Sequence, residues 1–334
     1  VPTGPIPSSA VSTLSRRFAD LGARRTTEEP PAVSIVLAVY DPPLDALKGQ
    51  LEAIADQTVD DWECIVVDDG STRPEVVQML RTWTGFDRGR RRLIERPVNG
   101  GIAAATNDGL DAATGRIVTI CDHDDLIDPS AVGRIIDHFS EHPDDDVVYT
   151  DEQLIDEDGH VVARYGKPDY SPRRHLGHHY LAHLVAARRD AIGDLRVRRE
   201  FEPAQDYDFY LRVIEAVLER HRSVGHIADV LYSWRAVSGS SALDAGEKPE
   251  MAAAVRRCSQ AALDRRGIPA TAVTVDHDGR PTTSVLLEAT TPPPDIAIVP
   301  IDATTTPSQI NEAVSATDAT VIVLAPDDSR ADAP

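Results

Sequence analysis

Cysteine is scarce in this chain and follows no pattern. The three cysteines, Cys64, Cys121 and Cys258, are far apart and odd in number, which excludes a disulfide framework and a metal site built on paired cysteines. Cys64 and Cys121 lie within apolar, strand-like runs, where a small buried thiol is the expected state. We therefore expect a protein of a reducing compartment, the cytoplasm.

Long hydrophobic runs and familiar nucleotide-binding signatures are missing as well. No apolar stretch approaches the roughly 20 residues that span a bilayer, and no apolar segment of the secretory type opens the chain. The glycine-rich signatures of NAD and ATP sites are absent. Basic residues are outnumbered, with 34 Lys and Arg against 55 Asp and Glu and a net charge of −21. Such an acidic surface repels phosphate backbones, so we expect no nucleic-acid partner.

What the sequence does contain is a regular alternation of strands and helices that starts at Val33. Its 334 residues are 41% hydrophobic, enough for a sizeable core. The alternation predicts an α/β fold with a Rossmann-like, mainly parallel sheet flanked by helices. Ligands bind at the carboxyl ends of the strands in such sheets. Four aspartates follow predicted strand ends and are therefore expected on one rim: Asp68, Asp69, Asp122 and Asp124.

Segments of different character flank this alternation. Residues 1–32 are predicted to be an N-terminal arm, whose short helix packs on the main domain or, as an alternative, lies on a membrane surface. Residues 246–292 read as a helix followed by a hairpin around an Asp-Gly turn. After that, NEAVSATDATVIVLAPDD aligns without a gap with NDGLDAATGRIVTICDHD of the first domain. The alignment predicts that residues 293–334 are a small C-terminal α/β appendage, a truncated and degenerate second copy.

The stretch TICDHDDLIDP, from Thr119 to Pro129, places four aspartates directly after a buried strand. Crowded carboxylates raise each other's pKa unless a cation lies among them. One interpretation is a solvated acidic loop that caps the following helix, with Asp128 as the N-cap. The other is a divalent metal site. A strand followed by DHDDL also resembles the nucleophile motif of haloacid dehalogenase phosphatases, although that motif requires Thr or Val where Asp125 and Leu126 follow.

An ordered set of motifs resembles family 2 glycosyltransferases of the GT-A fold. It comprises VSIVLAVYDPPLDALKGQLEAIADQTVDDWECIVVDDGST, NGGIAAATNDGL, CDHDDLIDP and AQDYDFYLRV. YTDE, KPDYSP and HIADVLYSWR resemble a subgroup in O-antigen and surface-polysaccharide synthesis that often carries tandem transferase domains. The resemblance implies a GT-A domain over residues 33–245, with a nucleotide-binding half at 33–128 and an acceptor half at 129–245. It also suits a degenerate second copy at 293–334.

The resemblance implies a Mn²⁺ or Mg²⁺ cofactor, which would stabilise the charge of the diphosphate leaving group. Asp122-His123-Asp124 matches the family's DxD element, with Asp124 as a direct ligand and Asp122 reaching the ribose, or the metal through water. His226 is the expected third metal ligand, with a structural role at the start of a strand as the open alternative. Histidines 175, 179 and 183 recur at a spacing of four, which would place them on one helical face. A zinc site there is disfavoured because no cysteine or acidic fourth ligand is nearby.

The donor contacts implied by the resemblance come from several strand ends. Asp69 matches the aspartate that reads a pyrimidine base, which favours a UDP- or dTDP-sugar, while Asp68 is either a contact or a turn residue. Asp41 stands where the family usually has Asn, and Thr106 where it often has Arg. The expected nucleotide-contacting residues are Val39, Tyr40, Asp41, Asp68, Asp69, Gly101, Asn107, Asp122 and His123.

Asp206, in AQDYDFYLRV, takes the position of the family's general base. An acidic helix N-terminus is compatible with this role. One base without a second carboxylate nucleophile implies single displacement with inversion. The QxxRW element of processive synthases is absent, which indicates that one sugar is added at a time.

The leading hypothesis is therefore a metal-dependent, inverting, non-processive glycosyltransferase of cell-surface polysaccharide synthesis. It would transfer a sugar from UDP or dTDP to a hydroxyl of a saccharide or lipid-linked glycan. We expect it in the cytoplasm, with peripheral association at the inner face of the membrane left open. Two alternatives stay open at this point: a phosphatase or phosphotransferase of the haloacid dehalogenase type, and a non-catalytic nucleotide-sugar-binding domain of a tandem transferase.

Overall fold

A computed structural model describes most of the chain: residues 29–87, 89–236, 249–277, 280–290, 296–301, 309 and 321–326. The chain divides into two compact units. One contains the residues up to Ile268 together with Ala272–Leu287, and the other contains Pro269–Thr271 and the residues from Glu288 onward. Three sequence predictions fall wholly or largely outside the described residues: the arm before residue 29, the Asp-Gly turn at 278–279, and most of the repeat from residue 311.

The first half of the larger unit is a parallel sheet whose strands are apolar on both faces. The strands β1 to β4 lie in the order β3-β2-β1-β4, all parallel, and burial of both faces explains their continuous hydrophobic runs. Helices α1 to α3 connect them, and Pro74 lies at the start of α2, as expected for a residue without an N–H. The bounds are β1 Val33–Val39, α1 Leu44–Ala55, β2 Trp62–Asp68, α2 Pro74–Gly85, β3 Arg91–Glu95, α3 Ile102–Ala112 and β4 Ile117–Cys121.

The second half extends the same sheet with mixed strand directions. The order continues as β4-β8-β6-β9-β5, with β7 paired to β6; β8 and β5 are antiparallel to their neighbours, whereas β6 and β9 are parallel to each other. The bounds are β5 Leu126–Ile127, α4 Ala131–Glu141, β6 Asp145–Ile155, β7 Val161–Tyr165, α5 Pro172–Gly177, β8 Val185–Arg188, α6 Arg189–Ile192, a 3₁₀ turn Arg199–Phe201, α7 Gln205–Glu219 and β9 Ser223–Arg235.

Further elements follow the large sheet. Helix α8, Pro249–Arg265, precedes the two-stranded sheet of β10, Ala270–His277, and β11, Arg280–Ala289. In the smaller unit, β12, Ile296–Ile301, pairs in parallel with β13, Val321–Pro326. The predicted α/β architecture and the small C-terminal sheet are therefore confirmed.

Two buried apolar layers cover the faces of the large sheet. On one side α3 packs closely on β1, because a Cβ on Gly109 would meet the side chain of Val36 well inside van der Waals contact. On the other side Leu47 and Leu51 of α1 are fully buried in the core. Within the described residues, no helix is both long enough and apolar enough to cross a membrane.

The histidine-rich segment differs from its predicted helical pattern. Helix α5 ends at Gly177, where a Cβ would lie 2.8 Å from the carbonyl oxygen of Val285, and His178 is extended with φ −158°. Histidines 175, 179 and 183 therefore do not share one helical face, because the helix that the spacing requires ends between the first and the second of them.

Candidate functional site

Three neighbouring parallel strands end side by side, and polar residues follow each of them. In the β1–β2 register Val39 lies opposite Asp68, and in the β1–β4 register Leu37 lies opposite Cys121. Tyr40 follows Val39 and is 47% exposed, although most of its surroundings are buried. The predicted rim is thus formed by the residues after Val39, Asp68 and Cys121.

Asp41 connects the end of β1 to the start of α2. Its backbone has φ +43°, and its carboxylate accepts hydrogen bonds from the N–H groups of Thr72 and Arg73, at 3.0 Å each, and from the hydroxyl of Thr72 at 2.7 Å. Burial alone would raise the pKa of Asp41, but these hydrogen bonds outweigh it and lower the pKa. The carboxylate thus holds the loop before α2, and its predicted contact with the nucleotide stays a prediction.

Asp69 is buried, with 3% exposure, and organises the glycine turn that precedes α3. Its two oxygens accept from the N–H groups of Gly100 at 2.9 Å and Gly101 at 2.8 Å, and Nε of Arg96 lies 2.8 Å from Oδ1. Gly101 has φ +89°, a conformation that favours glycine. The neighbouring Asp68 accepts from the N–H of Ser71 at 3.0 Å. Base reading by Asp69 stays a prediction.

The side chain of Asn107 hydrogen-bonds to a distant segment of the chain, at Val197. Its amide donates to the carbonyl of Val197 and accepts from the N–H of the same residue, both at 2.8 Å. This pair of hydrogen bonds joins α3 to the segment before α7, so the structure gives Asn107 a structural contact and shows none with the acidic residues of the rim.

The acidic loop after β4 is held by two buried glutamines, Gln50 of α1 and Gln57, which follows the end of that helix. Gln50 donates to the carbonyl of Asp122 at 2.9 Å and accepts from the N–H of Ile127 at 3.2 Å. Gln57 likewise donates to the carbonyl of Asp128 at 2.8 Å and accepts from the N–H of Val132 at 3.0 Å. Gln50 thus fixes the backbone at two positions of this stretch, and Gln57 joins its end at Asp128 to the first turn of α4.

The side chains of the loop point in different directions. Nδ1 of His123 lies 3.0 Å from the carbonyl oxygen of Ala38, at the end of β1. Nε of Arg235 donates to the carbonyl of Asp124 at 2.9 Å. Burial, opposed by His123, raises the pKa of Asp124. The loop is therefore anchored to both β1 and β9.

Asp125 is the most buried carboxylate of the loop, with 2% exposure. It accepts from the hydroxyl of Tyr232 at 2.7 Å and from the N–H of Arg235 at 2.8 Å. Burial, followed by the negative charge of Asp122, raises the pKa of Asp125 to about 7. A carboxyl group in this state is poised to ionise when a cation arrives.

Asp122, Asp125 and His183 form a group that could hold a metal ion, since one ligand atom from each lies within 4.8 Å of the others. Nε2 of His183 is 3.5 Å from Oδ2 of Asp122. Its ring stacks on Tyr232 with 4.9 Å between centroids. Burial alone would lower the pKa of His183, but its hydrogen bonds to Asp122 and Glu152 raise it well above the usual value.

This group shares only Asp122 with the ligand set expected from the sequence. His226 instead has Nε2 at 2.9 Å from Asp151 and Nδ1 at 3.3 Å from Asp169, and it stacks on Tyr149. Asp124 is also outside the group. The sequence motifs did not identify Asp125 or His183 as ligands; the buried strand that starts at Val185, two residues after His183, was the signal available.

Asp206 lies in the first turn of α7. Its side chain is 39% exposed, and Oδ2 is 3.0 Å from Nε2 of His179. Burial alone would raise the pKa of Asp206; the charge and hydrogen bond of His179 and the charge of His183 outweigh it, so the pKa is lowered. Asp208, in contrast, is fully buried and paired with Arg198 and Arg212. Asp206 is therefore accessible beside a histidine, whereas Asp208 is enclosed by arginines.

Comparison with known proteins agrees with this geometry. The family model described as Glycosyl transferase family 2 matches residues 34–194. The uncharacterized protein y4gI of Sinorhizobium fredii is 38% identical over 253 residues, 75% of this chain and 27% of that protein. The O-antigen biosynthesis protein RfbC of Myxococcus xanthus is 33% identical over 234 residues, 70% of this chain and 17% of that protein. The chain thus spans about a quarter or less of these curated relatives.

Solved structures show the fold. TarS of S. aureus in complex with UDP superimposes with a TM-score of 0.54 at 19% identity, over 69% of this chain and 65% of that one. Its complex with UDP-GlcNAc gives a TM-score of 0.55 at 20% identity, over 68% and 65% of the two chains. The mixed, mostly parallel sheet with flanking helices is the GT-A fold of these structures. Residues 34–194 of this chain are a glycosyl transferase family 2 domain.

Proposed function

We propose that the chain is a metal-dependent, inverting glycosyltransferase that adds one sugar at a time, from a UDP- or dTDP-sugar, to a hydroxyl of a saccharide or lipid-linked glycan. The family domain and the GT-A fold support the reaction class. The complexes of TarS with UDP and UDP-GlcNAc favour a uridine diphosphate donor. The similarity to the O-antigen biosynthesis protein RfbC favours a role in cell-surface polysaccharide synthesis.

One observation carries the proposal: two carboxylates and an imidazole converge at the rim where the strands end. Asp122 and Asp125 supply the oxygen ligands that Mn²⁺ and Mg²⁺ prefer, and the imidazole of His183 adds a nitrogen ligand, which favours a transition-metal ion such as Mn²⁺ over Mg²⁺. The buried carboxyl of Asp125, close to a second acid, fits a cation better than it fits water. An ion bound there would offset the charge that the diphosphate gains as the glycosidic bond breaks.

Two further residues orient the imidazole of this group. Oε2 of Glu152 lies 3.3 Å from Nδ1 of His183, and the ammonium of Lys167 donates to Glu152 at 3.2 Å and to the carbonyl of Leu181 at 2.8 Å. Burial alone would raise the pKa of Glu152, but its contacts with His183 and Lys167 lower it to about 2. An anionic Glu152 fixes Nδ1 as a donor and leaves Nε2 directed towards Asp122.

Asp206 would serve as the general base that removes the proton of the acceptor hydroxyl. Its lowered pKa keeps it ionised at neutral pH, and its partial exposure gives an acceptor access. His183 acts electrostatically on Asp206, which connects the base to the proposed metal group. A single carboxylate in this position implies direct displacement with inversion at the anomeric carbon.

Membership of family 2 removes the main support for a haloacid dehalogenase phosphatase. That class needs a free nucleophilic aspartate after its strand, whereas the backbone and side chain of Asp122 contact Gln50, Tyr232 and His183. A non-catalytic nucleotide-sugar-binding domain would differ from the proposal in one observable respect, because it would bind donors without transfer or hydrolysis.

The test begins with a thermal-shift screen of UDP, dTDP and their sugars, with and without Mn²⁺, followed by product analysis with the best donor. We expect Asp206→Asn to lose transfer by about 100-fold or more and to keep nucleotide binding. His183→Ala should lose the Mn²⁺-dependent part of the shift. Asp194→Asn and His142→Ala, at exposed positions outside both groups that could hold a metal ion, are the matched controls. Normal turnover by Asp206→Asn would refute the mechanism.

A further inference from the structure

The carboxylate proposed as general base has a histidine partner that the sequence motifs did not single out. Nε2 of His179 lies 3.0 Å from Oδ2 of Asp206. The ring of His179 stacks on Tyr207, the next residue of α7, with 4.7 Å between centroids and 24° between planes. The hydroxyl of Tyr207 in turn donates to the carbonyl of His175. The imidazole is therefore held from two sides, by its hydrogen bond and by its stacking partner.

The surroundings of the ring select one tautomer. Nδ1 of His179 is buried and has no hydrogen-bond partner among the described residues. A proton on Nδ1 would leave a buried donor unsatisfied, which costs more than an unsatisfied acceptor. A proton on Nε2 instead makes a charge-assisted hydrogen bond to the carboxylate. The geometry thus favours an imidazole that donates its Nε2–H to Asp206.

The titratable groups around this pair do not compete for the same hydrogen bond. His175, with its ring centroid 6.2 Å from that of His179, is 1% exposed, and burial, followed by the charge of His179, lowers its pKa well below the usual value. Nδ1 of His178 faces the hydroxyl of Ser284 at 3.3 Å. Other titratable groups around the pair are His183, Tyr207, Tyr210 and, from α8, Cys258.

We propose that His179 is a positioning residue for the reaction: it donates Nε2–H to Asp206, fixes the direction of that carboxylate and keeps it ionised for proton removal from the acceptor. The inference rests on the proposed function, because it gives Asp206 the role of base. The lowered pKa of Asp206, in which burial is opposed by His179 first, agrees with this assignment.

The kinetic test compares His179→Ala and His179→Gln with the wild type, using the sugar nucleotide that gives product in the screen above with Mn²⁺ as the added metal. We expect His179→Ala to lower kcat about tenfold, to leave the KM for the donor within about twofold, and to move the acidic limb of the kcat profile up by roughly one pH unit. Activity falls on the acidic side as Asp206 becomes protonated. Without the hydrogen bond from His179 the pKa of Asp206 rises, so this loss of activity begins at a higher pH.

Two variants separate positioning from mere packing. The amide of His179→Gln can donate to the same carboxylate oxygen, so most of the rate and the position of the limb should be restored. His178→Ala removes a neighbouring, partly buried imidazole that contacts Ser284 instead, so the limb should stay in place even if the protein is less stable. A wild-type rate with an unmoved limb in His179→Ala would overturn the inference.

A readout without turnover completes the test. In ¹⁵N-histidine-labelled protein at neutral pH, long-range ¹H–¹⁵N spectra should show the Nε2–H tautomer for His179, and Asp206→Asn should shift its ring resonances. The Nδ1–H tautomer, or resonances that ignore Asp206→Asn, would refute the inference even if Asp206 proves essential. Full turnover by Asp206→Asn would instead refute the proposed function, while the tautomer would still report whether the hydrogen bond exists.

Discussion

The aspartates of the acidic loop have different hydrogen-bond partners, although their side chains are chemically the same. Asp125 is enclosed by Tyr232 and Arg235, whereas Asp128 accepts from the N–H and hydroxyl of Ser130, at 2.8 and 2.6 Å, before α4 begins. The sequence predicted a choice between a metal site and a cap for the whole stretch. The structure has Ser130, not Asp128, at the N-cap of α4, so the predicted cap at Asp128 was wrong. The proposed cation group uses Asp122 and Asp125, whereas Asp128 only holds Ser130 ahead of the helix.

The raised pKa of Asp125 makes the stability of the metal-free protein depend on pH. The folded carboxyl has a pKa of about 7, against roughly 3.9 in an unfolded chain. Between these values the folded state binds more protons than the unfolded state, so the free energy of unfolding falls as pH rises from about 4 to about 7. We expect a loss on the order of a few kcal/mol, which Asp125→Asn should largely abolish.

Urea unfolding in the presence of EDTA, at several pH values between 4 and 8, would measure this effect. Asp194→Asn, at an exposed position outside both groups that could hold a metal ion, is the control and should follow the wild type. Parallel curves for Asp125→Asn and the wild type would contradict the prediction. Added Mn²⁺ should restore stability near pH 7 in the wild type only, since the ion favours the ionised carboxyl.

The residues that could be predicted are those fixed by local pattern. Asp122 follows an apolar run of strand length, which is visible in the sequence. The proximity of His183 depends on β8 lying between β4 and β6, and no local periodicity encodes that order. The same holds for His179, whose contact with Asp206 joins residues that are 27 positions apart.

Among the elements, the parallel half was predictable and the mixed half was not. Strands β1 to β4 are apolar runs separated by helical spacings, so their period and length identify them. Strands β6 and β9 pair over most of their length despite the intervening helices and turns, and β8 has only four residues. Short strands and distant pairings are set by tertiary contacts, which override local propensity.

Helix α3 offers a test of close packing on the sheet. In Gly109→Ala the new methyl group would collide with Val36, and we expect a loss of about 1–3 kcal/mol in the free energy of unfolding. Gly133→Ala in α4 is the matched control, because its nearest neighbour, Val59, would be 3.5 Å away. That variant should be neutral or gain up to about 1 kcal/mol from helix propensity. Equal effects in denaturant titrations would refute the packing argument.

Helix α7 offers a test of buried charge. Asp208 is 0% exposed and accepts from Nε of Arg198 at 2.9 Å and of Arg212 at 3.0 Å. Asp208→Asn would leave both guanidinium groups without their buried counter-charge, and we expect a loss of about 2–4 kcal/mol. Asp194→Asn, at an exposed position, should cost little. A melting temperature for Asp208→Asn equal to that of the wild type would show that the pair adds no net stability.

At the scale of the whole molecule, two compact units lie on one chain, and the proposed site belongs entirely to the larger. Cutting the chain after Thr290 removes β12 and β13 but keeps β11 and the hydrogen bond from Thr290 to Pro269 at 2.9 Å. We expect this shorter protein to fold and to bind the nucleotide and Mn²⁺ as the full chain does, measured by thermal shift. Loss of binding would show that the smaller unit takes part in the site.

The two buried glutamines, Gln50 in α1 and Gln57 after it, have a consequence for ligand binding at the rim. Gln50 satisfies the carbonyl of Asp122 and the N–H of Ile127, and Gln57 satisfies the carbonyl of Asp128 and the N–H of Val132 in α4. The backbone around the aspartates therefore acquires its shape when the protein folds, not when an ion enters. Little conformational freedom is then left for cation or diphosphate to remove. Selectivity at this rim should accordingly follow hydration and ionic radius, and exchanging either amide for an aliphatic side chain should weaken capture of the ion while its ligands stay the same.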